Sequence, residues 1–363
     1  MRLRPFLLDQ WIAGYADSAL PYNLAGSTGP SWTIEELLNL QAGSKDRLLR
    51  SRITYQPSSG QSALRAALAD MSGAVADDIL VTAGAAEALF HVFFLAATPG
   101  ANVIVPSPGF PTYYAIPEAL GLEIRTYSVL EDGGSFDPNR IKALADSHTR
   151  LIMVNSPHNP TGATVSADAM RELQHFAVAG GVQLVADEVF HPIYHGQPRV
   201  SASTLGHTTV IGDLSKAFAL PGLRIGWIHE PDATRRAQYV NAREYLSISN
   251  TVAGEFLAEV AVRNRRTIHE RTQAATTANL RLLDSLIEQK SGVLDWTRPE
   301  GGTTAFIRIN GGANTRPLCL AAADKGLLLV PGDCFGFPDR VRLGLGVCPD
   351  IFAPAMKLLS EIL

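Results

Sequence analysis

The segment Thr209-Val210-Ile211-Gly212-Asp213-Leu214-Ser215-Lys216-Ala217-Phe218-Ala219-Leu220-Pro221-Gly222-Leu223-Arg224-Ile225-Gly226 joins a strand pattern to a potentially reactive lysine. Residues 209–211 form a short β-branched run closed by glycine, which reads as a strand buried on both faces of a sheet. Lys216 follows an apolar stretch, and Arg224 stands between Gly222 and Gly226. Partial desolvation lowers a lysine's pKa, so its neutral amine can attack an aldehyde and hold it. The arginine is placed to receive an anion such as a phosphate. A lysine near a glycine-rich turn is more often a solvated side chain, so the rest of the chain decides.

Outward from this segment, similar short runs recur at 79–81, 102–105, 151–154 and 183–186, each bounded by turn residues. Helical periodicity lies between them. Leu64, Ala67, Leu68 and Met71 share one face over 62–71, and a second helix is expected over 87–96. Strands separated by helices predict βαβ units and a largely parallel sheet. Residues 235–286 contain one glycine and no proline, which predicts a long helix or helix pair linking two domains. Residues 287–363 alternate again and read as a smaller α+β domain. The expected division is an arm with part of the small domain over 1–45, a large domain over 46–265 and the small domain over 266–363.

Length and composition agree. A chain of 363 residues is long for a single core. Hydrophobic content of 46% with 18% charged residues is ordinary for a globular enzyme, and a net charge of −4 gives no reason to expect nucleic acid or membrane as a partner. Cys319, Cys334 and Cys348 lack metal-ligand spacing and are odd in number, which fits a reduced, cytoplasmic setting. The N-terminus lacks a long apolar core and reads as an arm of the mature chain, not a signal peptide.

In doubly wound sheets, ligands collect beyond the carboxyl ends of strands. Four expected strand ends carry unusual residues. One opens into Thr82-Ala83-Gly84-Ala85-Ala86-Glu87, a small-residue turn whose free amides suit a phosphate. The others run into Pro106-Ser107-Pro108-Gly109-Phe110, Asn155-Ser156-Pro157-His158-Asn159-Pro160-Thr161-Gly162 and Asp187-Glu188-Val189-Phe190.

The order of these motifs resembles the fold-type-I pyridoxal-phosphate enzymes, and within them the class I and II aminotransferases. The resemblance runs from Tyr55 to Arg342 and includes Pro331-Gly332-Asp333-Cys334-Phe335-Gly336 and Val341-Arg342-Leu343. It implies an α/β fold with a large, mostly parallel sheet domain and a smaller α+β domain. It implies pyridoxal 5'-phosphate as cofactor and a free amino acid as substrate, worked through an external aldimine and quinonoid. The simplest such activity is that of an aminotransferase. By the resemblance, Lys216 holds the cofactor aldehyde and moves the α-proton, and Asp187 pairs with the ring nitrogen. Asn159 meets the phenolic oxygen and Phe110 stacks on the ring. Arg224, the amides of Ala85 and Ala86, and Ser215 take the phosphate. Tyr55 matches a tyrosine that reaches a neighbouring subunit's phosphate, which implies a homodimer with shared sites. Arg342, with Asn159 and Gly26 nearby, clamps the substrate carboxylate.

Three departures bear on the reaction. Phe190 stands where the family usually places a tyrosine that donates to the phenolic oxygen. Asp213 replaces a phosphate-binding serine, which is costly unless the carboxylate turns away or pairs with Arg224. Thr303 and Thr304 stand in Pro299-Glu300-Gly301-Gly302-Thr303-Thr304 where aromatics are frequent, which predicts a more polar or open side-chain pocket. Glu300, His158, His191 and His195 are the polar candidates around it, each more readily structural than catalytic. These features are similar to those of the capreomycidine-synthase-like and arginine-oxidase-like branch. An alternative is therefore a lyase, cyclase or oxidase acting on arginine or a hydroxylated arginine. In a different class, a ligand-sensing module on this scaffold would need a DNA-binding segment or basic patch that the sequence does not offer.

Overall fold

The computed structural model describes residues 2–130 and 136–363; Met1, the start of the expected arm, lies outside them. Seven strands form the main sheet: β1 (Ile79–Thr82), β2 (Asn102–Ser107), β3 (Glu123–Ser128), β4 (Thr149–Asn155), β5 (Gln183–Asp187), β6 (Thr208–Asp213) and β7 (Gly226–His229). Their order is β1-β7-β6-β5-β4-β2-β3. Only β7 runs antiparallel to its neighbours. The sheet follows from its side chains. Met153 and Val185 pack on one face, while Ile152, Val154, Leu184 and Ala186 pack on the other. Alternate residues thus serve opposite cores, as strand geometry requires. Each fully buried aliphatic side chain contributes roughly 1.5–3 kcal/mol.

Two strands were not expected from the sequence. In β3 the run Glu-Ile-Arg-Thr-Tyr-Ser is largely polar because the strand lies at the sheet edge. In β7 the run Gly-Trp-Ile-His is too short and mixed to signal itself. The helix-rich region is three helices, Ala233–Glu244, Val252–Arg263 and Arg265–Gln289. The first two begin at side-chain caps from Asp232 and Thr251.

A second, antiparallel sheet contains β8 (Leu294–Asp295), β9 (Thr304–Ile309), β10 (Val330–Pro331) and β11 (Arg340–Gly344), in the order β10-β11-β9-β8. Leu8, Trp11 and Leu24 from the N-terminal arm pack in the same core as Leu283, Phe306 and Phe352. Trp11 also donates its indole N–H to the Leu329 carbonyl at 2.7 Å. The arm therefore lies against the smaller sheet and reaches Phe110, whose ring meets Phe6 edge-on at 5.6 Å. Among the described residues, no helix is long and apolar enough to cross a membrane.

Candidate active site

Strand register assembles the site. Asn155 pairs with Asp187 across β4 and β5, and Asp213 pairs with Gly226 across β6 and β7, at the carboxyl ends of β4, β5 and β6. One pocket beyond these ends brings together Lys216, Asp187, Asn159, Phe110, Ala85 and Ala86, with Ser215 and Arg224.

Asp187 is 3% exposed. It accepts hydrogen bonds from the Tyr113 hydroxyl at 2.6 Å and the Val189 N–H at 3.2 Å. Burial still pushes its carboxyl up to about 6, aided by the nearby charges of Asp213 and Glu188. Asn155 braces the neighbouring loop. Its amide nitrogen donates to the carbonyls of Pro157 and Asp187, and its oxygen accepts the Asn159 N–H at 2.8 Å.

The turn after β1 forms an anion cradle. No side chain caps the helix Ala85–Ala96, so its first amides are open. Arg224 adopts a left-handed backbone, φ 53°, and its guanidinium lies over Gly84. A Cβ on Gly84 would sit 2.5 Å from that guanidinium, and one on Gly226 would sit 2.7 Å from the Ala85 nitrogen. Only glycine at both places lets the arginine and the helix start converge. Behind the turn, Glu87 accepts the Ala83 N–H, and the buried Arg243 binds the Ser58 carbonyl and, at 2.7 Å, Asn250. Asn250 in turn donates to the Thr82 carbonyl at 3.1 Å. The segment 243–250 therefore braces the cradle and leaves Tyr245 exposed on the surface.

The lysine is gripped by the N-terminal segment. Lys216 Nζ donates to Ser27 Oγ at 3.0 Å, and Gly29 N–H reaches the Lys216 carbonyl at 3.5 Å. Burial lowers the lysine's pKa, against the pull of the Asp213 charge. Asp213 neither pairs with Arg224 nor turns from the pocket. It caps the lysine's turn by accepting the Ser215 N–H at 2.8 Å and stands as countercharge to Lys216. Ser27 was missed in the sequence, since a serine beside Gly26 carries no spacing signal.

Arg342 is 2% exposed and pairs with no carboxylate among the described residues. It donates to the Ala25 carbonyl and, at 3.4 Å, to Asn159 Oδ1, while its Nε has no partner. Burial lowers its pKa to about 10. An unpaired, buried guanidinium is costly alone and favours an incoming carboxylate.

Other expected residues lie elsewhere. Tyr55 is 83% exposed and lines no part of the Lys216 pocket in its own chain. Gly26 is exposed beside the strand that carries Arg342. Thr303 does not make the pocket polar, because its hydroxyl is spent on the Ser27 carbonyl at 2.7 Å. His158 bonds Thr161, His195 bonds the Gly302 carbonyl, and His191 bonds Tyr194. Glu300 is held by Thr164 and Arg199. None of these four lines the pocket, so the expected polar ring is a set of loop braces. Phe190 does line it, and is fully buried.

Comparison with known proteins places these residues in context. The model of the family described as aminotransferase class I and II matches residues 37–350. Capreomycidine synthase from Streptomyces vinaceus is 32% identical over 298 residues, covering 81% of this chain and 76% of that protein. A solved PLP-dependent aminotransferase from Streptococcus suis superposes with a TM-score of 0.93 at 28% identity, covering 100% of this chain and 98% of that one. The PLP-dependent cyclase OrfR superposes with a TM-score of 0.90 at 28% identity, covering 99% and 97%.

Proposed function

This chain belongs to the class I and II aminotransferases, which are pyridoxal-phosphate-dependent enzymes, and we propose that it works on a free amino acid, most simply as an aminotransferase. The residues present fit the cofactor. A buried carboxylate without a cation, a helix start with open amides beside an arginine, and a partly desolvated lysine are the donor set it needs. Asp187 would hold the ring nitrogen, Asn159 the phenolic oxygen, and Phe110 a ring face. Ala85, Ala86, Ser215 and Arg224 would hold the phosphate. When bound there, the cofactor supplies a sink for electrons released at the substrate α-carbon.

The chain's own residues do the rest. Arg342 takes the substrate carboxylate on a guanidinium already desolvated and aimed by Ala25 and Asn159. Lys216 Nζ then receives the α-proton, with Ser27 Oγ accepting a hydrogen bond and Asp213 offsetting the positive charge. Phe190 closes the pocket without offering a hydroxyl. The observation that carries this reading is the buried Arg342, without a carboxylate partner among the described residues and bonded at 3.4 Å to Asn159 of the pocket that holds Lys216 and Asp187. Adding amino acids one at a time to the yellow protein, in air, tests it by absorbance. A band lost on adding the donor and restored by a keto acid supports transamination.

A second reading is favoured by Asp9, on the arm helix Leu7–Ala13. Asp9 is exposed and lines no part of the Lys216 pocket, but its negative charge is near enough to act on both Lys216 and Arg342. A carboxylate there suits a substrate with a cationic side chain, such as arginine or a hydroxylated arginine. Capreomycidine synthase and a PLP-dependent cyclase are among the similar proteins. On this reading the enzyme is a lyase, cyclase or oxidase. Ammonia, peroxide or a cyclic product, with a band that recovers unaided, would support it over transamination.

The exposed Leu49, Ile53 and Tyr55 support a homodimer in which Tyr55 enters the neighbouring site. The shared core of Leu8, Trp11, Leu24 and residues 280–359 supports an arm that joins a C-terminal small domain, although Leu37 and Ile268, outside the cuts at 45 and 265, pack with the large domain. Three free cysteines support a cytoplasmic setting.

A further inference from the structure

One buried side chain holds the end of β1 through the segments before and after it. Arg243, near the end of the helix Ala233–Glu244, is 0% exposed. Its guanidinium donates to the Ser58 carbonyl, next to Ser59, whose own carbonyl accepts the Val81 N–H at 3.0 Å. It also donates to Asn250 Oδ1 at 2.7 Å, and Asn250 passes the tie to the Thr82 carbonyl at 3.1 Å. The cradle turn 82–87 begins there. The approach of the first segment to β1 is close, since a Cβ on Gly60 would lie 2.4 Å from the Val81 side chain.

The same guanidinium balances charge. Glu87 accepts the Ala83 N–H, which fixes the turn, and the Ser247 hydroxyl. Arg243 lies 3.8 Å from that carboxylate, and His91 Nε2 lies 3.7 Å from it. The buried Glu255 accepts the Gln61 N–H at 2.7 Å and feels the charge of Arg243, while its Oε1 has no partner. Arg243 thus serves two carboxylates held largely out of water, and one of them stands behind an anion cradle.

The turn that follows Arg243 is strained. Ile248 has φ 62°, a left-handed backbone that a β-branched side chain rarely takes. Arg243 imposes this shape from two sides. Its carbonyl accepts the N–H groups of Leu246, Ser247 and Ile248 at 2.9, 3.1 and 3.1 Å, while its guanidinium holds Asn250. Such strain persists only where the surroundings over-determine it, and it points to a task for this segment beyond packing.

We infer that Arg243 is a positioning residue for the cofactor phosphate, acting through the turn 82–87. It fixes the place of that turn and offsets the Glu87 charge, which would otherwise oppose an anion in the cradle. The chain's preference for a phosphorylated over an unphosphorylated pyridoxal therefore depends on it. The inference rests on the phosphate lying between Arg224 and the amides of Ala85 and Ala86.

The test titrates the whole chain, freed of cofactor, with pyridoxal 5'-phosphate and with pyridoxal, and follows the absorbance of the bound ligand. Arg243→Met should weaken the phosphorylated ligand about tenfold, the scale of one charge-assisted hydrogen bond, and leave pyridoxal within about twofold. Asn250→Ala keeps the charge and cuts the tie to Thr82. It should weaken the phosphorylated ligand about threefold with pyridoxal again unchanged, and it decides the matter if Arg243→Met does not fold. Equal weakening of both ligands overturns the inference, since that is what a merely structural role would give. So does a ratio of affinities unchanged in the folded variants. Arg224→Gln checks the premise. A ratio unmoved by Arg224→Gln puts the phosphate elsewhere, and the inference falls with that assignment. A ratio lowered by Arg224→Gln but by neither other variant overturns the inference alone.

Discussion

Tyr113 donates its hydroxyl hydrogen to Asp187 Oδ2 at 2.6 Å, from the first turn of the helix Thr112–Ala119. A phenol from one segment thus orients the carboxylate at the end of β5, while burial holds that carboxyl near 6. Removing the phenol leaves the Val189 N–H as the remaining protein donor to that carboxylate. Tyr113→Phe should therefore weaken cofactor retention about tenfold, since a hydrogen bond to a charged group contributes roughly 1.5–3 kcal/mol. Cofactor absorbance after dialysis reads this, and retention equal to wild type would count against the assigned role of Asp187.

In protein stripped of cofactor, Asp187 makes stability depend on pH. Its folded pKa, about 6, exceeds the ordinary 3.8, so the folded state keeps a proton that the unfolded state releases. The protonated group's contribution is full below pH 3.8 and is lost as pH rises through 6. Two pKa units correspond to roughly 3 kcal/mol. Urea unfolding of stripped wild type and Asp187→Asn, at pH 4.5 and 7.5, should show wild type losing stability relative to the variant by about 2 kcal/mol. A gap that does not move with pH would place the titration elsewhere.

Arg342→Leu should leave folding intact, because it removes a buried charge with no ionic partner. It should lower kcat/KM for any amino acid by at least thirtyfold, as a buried carboxylate pair contributes about 2–5 kcal/mol. Thermal melting and steady-state kinetics together separate these effects.

Asp9→Asn distinguishes the two functional readings. For a substrate with a guanidinium side chain, kcat/KM should fall about threefold, in the range of an exposed ion pair. For leucine or norvaline it should not change. Equal effects on both classes would reduce Asp9 to a general field on Lys216.

Ser27→Ala removes the oxygen that Lys216 Nζ faces. The lysine's charged form loses an acceptor, so its pKa should fall. Exchange of the substrate α-hydrogen in D₂O, followed by NMR, should slow about tenfold. An exchange rate within twofold of wild type would remove Ser27 from the proton's path.

The legible parts of this chain were those whose residues face one environment throughout. β4, β5 and β6 are buried on both faces, so 151–154, 183–186 and 209–211 read as apolar runs. β3 at the edge did not, because half its surface meets water. Lys216, Asp187, Asn159 and Arg224 were legible because each follows a strand or a glycine turn at a recognisable spacing. Ser27 was not, because it reaches Lys216 through the docking of the N-terminal segment, which no local pattern encodes. Thr303 misled for a related reason. Its polarity suggested a wetter pocket, but a threonine hydroxyl is satisfied wherever a carbonyl lies within reach, and the Ser27 carbonyl lies 2.7 Å away.

The segment 25–27 alternates obligation with freedom. Ala25 lends its carbonyl to Arg342 and Ser27 its hydroxyl to Lys216, so both are tied to buried cations. Gly26 between them is exposed, and a Cβ added there would meet nothing within 4 Å. A lineage could therefore explore side chains at this one position, neutral, acidic or aromatic, while Arg342 and Lys216 keep their places. Diversification of this scaffold would be gradual there and abrupt one residue to either side.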